Sequence, residues 1–326
     1  MNQLSHLQKN KQNLELRFAI LKAIRGFFSA ENFVEVEVPL IVKLPGQEPN
    51  LSPIKVNIHN ERGEEFNGFL HTSPEYTMKK LLAVGWEKIF YLGKTFRDQE
   101  SFGGTHNPEF TMCEWYRTNE DMFKLMDDLE NLFNFVAGTV QSNKSFKFQR
   151  ITMKELWQKY VGVNLDEYLS EDKMFELCVT QGYQPQKQES YEELFYRIFL
   201  NKIEANLIEP TIVYNYPAKM ASLSKLSAAD PNYAERFEVY INGLELANAF
   251  SELTNGKEQL KRLKLEQAER GQSGKDVFDI DEDFIEALNF MPASAGIALG
   301  VDRLVMLLAS CQEINNVITL PMSKIF

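Results

Sequence analysis

The sequence predicts an α+β fold in which an antiparallel sheet is flanked by helices, and three features carry that prediction. Glu87 to Tyr116 alternates apolar and polar side chains on both sides of a polar loop from Asp98 to Asn107, the pattern of a long-looped hairpin. Glu235 to Glu252 alternates on either side of Asn242-Gly243, a dipeptide that favours a tight two-residue turn. Around these hairpins, apolar residues recur at helical spacing from Leu14 to Phe28 and from Met122 to Val136.

Composition narrows the class of protein. A chain of 326 residues, 44% hydrophobic and 25% charged, can bury a large core and is ordinary for a globular protein. Its net charge of -11 repels a phosphate backbone, so long-range attraction to tRNA or DNA is not expected to drive its function. Cys113, Cys178 and Cys311 are widely spaced and odd in number, which suggests reduced thiols in a cytoplasmic protein. The N-terminal segment lacks an apolar signal core, and no apolar run is long enough to span a bilayer.

In chain order, the spacing from about Asn13 predicts an amphipathic helix with Leu14, Phe18, Leu21, Ile24 and Phe28 on one face. FVEVEVPLI follows as a strand that Pro39 breaks. Pro45 to Pro53 reads as loop, and Lys55 to Leu70 as a hairpin turning at Asn60 to Gly63. A helix through Leu82 then opens with Ser73 as N-cap, Pro74 at its first position and Glu75 near its positive end. By itself, that capping role accounts for Glu75.

Arg97 ends the strand that starts near Glu87. On the returning strand Phe110, Met112 and Glu114 share one face, and Thr111, Cys113 and Trp115 the other. Either that pairing is mis-set or Glu114 faces a polar cleft. Asp121 to Val140 is predicted helical. About residues 145–206 read as a helical insertion of shorter pieces, such as Met153 to Tyr160 and Tyr191 to Ala205, within one catalytic domain. Ile208 to Tyr216 is a buried strand, and the second hairpin sets Glu238, Glu245 and Glu252 in line. Lys257 to Arg270 reads as a solvated helix. AGIALGVDR supplies a small, apolar strand, then Asp302 as cap and Arg303 in the first turn of a buried helix.

An arginine at a strand end, a second at a strand-to-helix junction and several carboxylates on antiparallel strands are suited to holding a polyphosphate and its metal beside a cationic substrate. No P-loop or dinucleotide fingerprint is present.

The order of these parts resembles the three motifs of class II aminoacyl-tRNA synthetase catalytic domains: helix–strand–Pro39, then Phe96-Arg97 with HNPEFTMCEWY, then GIALGVDR. TSPEY, HNPEF, ERFE and ELANAFSEL are similar to lysyl-tRNA synthetases. The resemblance runs from about Arg17 to the end. With the first motif so early, no anticodon-binding domain is expected, and the chain closely resembles the family of elongation factor P lysine ligases. Those enzymes activate (R)-β-lysine with ATP and transfer it to a lysine side chain of elongation factor P.

The resemblance implies catalytic roles for Arg97 and Arg303 at the phosphates, and an ATP site of Arg97, Asp98, Gln99, His106, Asn107, Glu245, Leu246, Gly300 and Arg303. It implies Mg2+ on Glu238 and Glu245. Ser73, Pro74, Glu75, Glu114, Tyr116, Asn248, Phe250, Glu252 and Ala298 would line the lysine pocket. It also implies a homodimer through Asn13 to Pro39. Two other readings stand beside it: a stand-alone synthetase that charges tRNA or forms a small amide, and a catalytically silent regulatory paralogue. The chain departs from the family at Gln99, where glutamate is usual, and in FGGTH, which lacks the usual arginine. It departs again at Ala298, where lysyl-tRNA synthetases have glycine.

Overall fold

The computed structural model describes residues 2–326. Helix α1 (Gln3–Ala30) is capped by Asn2, whose side chain accepts from the Ser5 amide. It begins about ten residues before the apolar stripe predicts, because its first turns bury polar groups: His6 Nε2 meets the Ile318 carbonyl at 3.2 Å, and Asn10 packs on His6. The expected strand after α1 contracts to β1 (Val34–Glu35). Its ladder ends where the Val36 amide donates to the Phe90 carbonyl at 2.9 Å, three residues before Pro39. β2 (Ile41–Val42), β3 (Lys55–His59) and β4 (Glu65–Leu70) form a small antiparallel sheet in the order β2-β4-β3.

Helix α2 (Glu75–Ala83) starts one residue later than expected, with Pro74 at the cap position and the Glu75 amide donating to Ser73 Oγ at 3.1 Å. Next come β5 (Lys88–Phe96), β6 (Glu109–Thr118) and α3 (Met122–Thr139), the last capped by Asp121. The segment read as a helical insertion holds α4 (Met153–Tyr160), α5 (Glu171–Thr180) and α6 (Tyr191–Lys202), but begins with a strand, β7 (Gln149–Thr152), that the sequence reading lacked. β8 (Thr211–Pro217), β9 (Tyr233–Ile241) and β10 (Leu244–Ser251) follow. Asn242 and Gly243 turn the β9–β10 hairpin with φ of 55° and 67°, the left-handed pair that a type I′ turn requires. The chain continues through α7 (Gly256–Gln272), α8 (Glu282–Leu288), β11 (Ser294–Gly300) and α9 (Val301–Ala309).

The main sheet has eight strands in the order β1-β5-β6-β11-β10-β9-β8-β7. Its six central strands are antiparallel, and β1 and β7 join the edges in parallel. One face packs under α1, α3 and α9 in a core that includes Phe28, Phe90, Trp115, Leu129, Phe237, Ile297 and Leu304. The functional side chains lie on the other face. α4 to α6 pack a second core on β8 and β9 around Trp157, Phe195, Phe199 and Tyr216.

Two expectations need correction. Helix α7 is more than a solvated face: Arg270 is 1% exposed, and its guanidinium donates to the Glu48 and Leu51 carbonyls at 2.7 and 2.8 Å. A long charged side chain can bury its stem and satisfy its head on backbone, which a charge pattern does not reveal. Asp302 does not cap α9. Gly300 holds that position without a side-chain cap, while Asp302 pairs with buried Arg17 and accepts from the Thr111 amide at 2.7 Å. No helix among the described residues is long and apolar enough to cross a membrane.

Candidate active site

Strand register assembles the site. Glu114 of β6, Ala298 of β11, Asn248 of β10 and Glu238 of β9 are successive cross-strand partners, and so form one row across the open face. Two residues away along each strand, Tyr116, Gly296, Phe250 and Arg236 form a second row. Side chains alternate faces along a strand, so this register puts acids, amide and aromatics on the face away from α1, α3 and α9. Glu114 therefore faces a cleft, and the pairing that made it look out of place is the observed one.

The β6, β11 and β10 members of the two rows floor an acid-lined cavity of about 130 Å³, walled also by Glu48, Ser73, Glu75 and Arg97, while Glu238 and Arg236 line its neighbour. Glu114 is 2% exposed; it accepts from the Ser73 hydroxyl at 2.9 Å and the Tyr116 hydroxyl at 2.6 Å. Burial, then the Glu75 charge, pushes its carboxyl up to about 8 against those two hydrogen bonds. Lys79 lies beneath the acids, 2.5 Å from Glu75 and 2.6 Å from Glu252. Burial works against its charge, but the two carboxylates outweigh it and hold the ammonium above its ordinary value. Gly296 permits the close approach here: a Cβ at that position would sit 2.1 Å from the Tyr116 ring and 2.6 Å from Glu252 Oε1.

A larger cavity of about 420 Å³ adjoins the first and shares Leu51, Arg97, Met112, Asn248 and Ala298 with it. Its cations are Arg97, Arg236 and Arg303. Arg97 stacks on Phe110, 5.1 Å from the ring centre, and its Nε is buried with no hydrogen-bond partner among the described residues. Such a donor suits an incoming phosphate oxygen. Arg303 donates to the Glu245 carbonyl at 2.6 Å and meets His106 Nε2 at 3.0 Å. Burial and the Arg303 charge both lower the His106 pKa, so its imidazole is neutral and accepts the arginine N–H on its lone pair.

The expected metal pair divides. Glu238 accepts from Arg236 at 2.6 Å, from the Tyr216 hydroxyl at 2.6 Å and from the Tyr240 hydroxyl, so its lone pairs are committed. A shift in register between Glu245 and Ala247 breaks the ladder beside Glu245. The Glu245 carboxylate lines the larger cavity with Arg303 Nη1 3.8 Å away. No group of three or more His, Cys, Asp or Glu side chains arranged for a metal occurs among the described residues. Magnesium commonly uses one or two carboxylates with phosphate oxygens and water. The donor set fits that mode through Glu245, with Glu238 behind it.

Asn107 and Gly300 line the larger cavity with His106, and Leu246 does so while its side chain enters the core. The Asn107 amide is occupied, donating to the Glu109 carbonyl at 2.6 Å and accepting from the Met322 amide at 3.0 Å. Asp98, Gln99, Pro74 and Glu252 lie outside both linings, Glu252 being held on Lys79. Gln99 has a φ of 62° and is exposed, and its neighbour Glu100 reaches the cavity wall instead. The FGGTH tip docks on the C-terminal segment: the Gly104 amide donates to Glu313 at 3.0 Å and the Ile314 amide to the Gly104 carbonyl at 2.8 Å. The sequence reading missed Glu48, Glu192, Tyr196 and Arg236. The last was legible, being two residues from Glu238 and so on the same face.

Comparison with known proteins agrees with this geometry. The family of class II tRNA synthetases (D, K and N) matches residues 3–324. The chain is 36% identical to the elongation factor P–(R)-β-lysine ligase of Yersinia enterocolitica, over 96% of this chain and 95% of that protein. It is 38% identical to the ligase of that name from Vibrio cholerae, over 95% of each. To a homolog of that ligase from Aquifex aeolicus it is 38% identical, over 90% and 94%. The chain belongs to the class II tRNA synthetase family and, within it, to the elongation factor P–(R)-β-lysine ligases, which are ATP-dependent aminoacyl ligases.

Proposed function

We propose that this chain activates (R)-β-lysine with ATP and transfers it to a lysine side chain of elongation factor P. One observation carries the reading: an acid-lined cavity meets an arginine-lined one at Leu51, Arg97, Met112, Asn248 and Ala298. A substrate with two ammonium groups and one carboxylate fits the first cavity if its carboxylate reaches the junction. The curated relatives carry this activity in their names.

In this reading Ser73, Glu75, Glu114, Tyr116, Asn248, Phe250 and Glu252 hold the diamino acid, and Ala298 shapes the junction. Arg97 and Arg303 hold phosphate oxygens while the substrate carboxylate attacks the α-phosphorus and pyrophosphate departs. The gain comes from positioning and fixed charge, with no protein nucleophile. Magnesium, when bound, neutralises charge on the phosphates; Glu245 would hold it, with Glu238 fixed behind. The acceptor amine then attacks the carbonyl of the mixed anhydride, the C–O bond to AMP breaks, and the amine proton passes to solvent.

A homodimer through α1 and the Val34 to Pro39 segment belongs to the same proposal. It is supported by exposed Phe18, Val34 and Trp86 and by the open groove along Val34, Val36, Val38 and Leu81. The net charge of -11 favours a protein acceptor over tRNA, and the reduced thiols favour the cytoplasm.

ATP–pyrophosphate exchange with β-lysine, followed by mass spectrometry of elongation factor P, tests the proposal. Exchange and a lysyl mass shift are expected. Exchange without the shift points to another acceptor, and no exchange points to a silent paralogue.

A further inference from the structure

We propose that Glu48, on the loop between β2 and β3, is a specificity-determining residue that receives the substrate ammonium group nearest the reacting carboxylate. The inference rests on the amino-acid ligase reading above. It begins from an unsatisfied atom. Glu48 Oε2 is buried and accepts no hydrogen bond from any described residue, yet Glu48 lines the acid cavity beside Ser73, Glu75 and Arg97. A buried carboxylate oxygen without a donor is costly unless a cation or donor arrives in the working state.

The other acids each have a partner on at least one oxygen, although Glu252 Oε1 is also buried without a hydrogen bond. Glu75 and Glu252 share Lys79, and Glu114 accepts from Ser73 and Tyr116. Glu48 has no comparable partner. Burial raises its pKa most, against a hydrogen bond from its own backbone amide; the Glu75 charge adds to the shift and the Arg97 charge opposes it. It is thus within electrostatic reach of the arginine at the junction of the two cavities. The substrate carboxylate must lie at that junction to reach ATP, so the amine closest to it falls to Glu48. The remote amine falls toward Glu252 and Tyr116, on either side of Gly296.

The loop is fixed rather than loose. Arg270 holds the Glu48 and Leu51 carbonyls, Lys275 Nζ donates to the Pro49 carbonyl at 2.6 Å, and Gln47 Nε2 donates to the Asp279 carbonyl at 3.0 Å. A carboxylate on a backbone held at three points is preorganised for its ligand. No periodicity or motif marks Glu48, because a loop residue carries neither.

The test compares Glu48→Gln with the unaltered enzyme in ATP–pyrophosphate exchange. Two compounds are used: β-lysine, and 6-aminohexanoate, which keeps the carboxylate and the remote amine but lacks the near one. The KM for β-lysine should rise at least tenfold, the KM for ATP should stay within twofold, and the Ki of 6-aminohexanoate should be the same in both enzymes. A KM for β-lysine within twofold of the unaltered enzyme overturns the inference. So does an equal loss with both compounds, which marks a structural role. If the unaltered enzyme exchanges with neither α-lysine nor β-lysine, the ligase reading itself fails and the inference with it.

Discussion

Lys79 Nζ lies 2.6 Å from Glu252 Oε2, so the acid expected to meet the substrate already shares a charge with the protein. Glu75, one turn earlier on α2, holds the same ammonium at 2.5 Å. Glutamate four residues N-terminal to lysine is the favourable order on a helix. The buried lysine thus bridges two neighbouring acids, and its charge opposes the burial that pushes the Glu252 carboxyl up to about 8.

Replacing Lys79 with methionine leaves both acids without a counter-charge. Breaking a buried pair from one side costs about 3–5 kcal/mol, so the urea midpoint of Lys79→Met should fall accordingly. Lys79→Met with Glu75→Gln should recover part of the loss. Equal stabilities of the single variant and the unaltered protein would show that the triad contributes nothing.

Glu114 sets a pH dependence. With its carboxyl pushed up to about 8, the free enzyme holds a proton there at pH 7, whereas an ammonium ligand needs the ionised form. The kcat/KM for the amino acid in exchange should rise with pH, by nearly tenfold per unit at most, and level off above about 8. Glu114→Gln should remove that limb. Because the folded pKa is raised, this group's contribution to stability is full below the ordinary carboxylate value and is lost as pH rises through about 8. The melting temperature of the ligand-free protein should therefore decline over that window, and less so in Glu114→Gln.

The two hairpins and the main helices were legible because strand alternation, helical spacing and a turn signal mark them, whereas the row Glu114–Ala298–Asn248–Glu238 depends on a pairing of β6, β11 and β10 that alternation alone does not give. Residues whose place depends on distant backbone were not legible either. Arg270 looked solvated because its partners are carbonyls of the β2–β3 loop. His6 and Asn10 extend α1 with polar packing that no apolar stripe reports. Glu48 sits on a loop without periodicity. The β5–β6 tip docks on Glu313 and Ile314, and that contact depends on a chain segment about two hundred residues away.

Asp302 links three elements. It pairs with Arg17 of α1, which in turn donates to Thr111 Oγ1 at 2.6 Å, and it accepts the Thr111 amide of β6 at 2.7 Å. Asp302→Asn strands the buried guanidinium and should destabilise the protein by about 3–5 kcal/mol in urea unfolding. Loss of a helix cap alone costs about 1 kcal/mol, so the size of the effect separates the two roles.

Gly296→Ala places a methyl group against the Tyr116 ring and Glu252 Oε1, where a Cβ would come within 2.1 and 2.6 Å. Amino-acid binding by calorimetry should be lost while ATP binding persists. Retention of lysine binding would mean that Tyr116 and Glu252 do not form the end of the pocket.

Ala298 lies between Glu114 and Asn248 in the row, and its methyl group stands where the two cavities meet. In the proposed function the substrate carboxylate passes this point. In that reading an amine on the carbon next to the carboxylate would be carried against the methyl group, whereas an amine one carbon further along would clear it. Ala298→Gly should therefore lower the KM for α-lysine in pyrophosphate exchange and leave that for β-lysine nearly unchanged. One methyl group in a close-fitting pocket is worth about 1–3 kcal/mol, so a gain of about tenfold or more is expected. The glycine should cost only about 0.5–1 kcal/mol of stability within a strand, which leaves the variant folded for assay. Exchange with α-lysine that shows no gain would exclude Ala298 as the discriminating contact and leave the choice between isomers to Glu48 and Glu75.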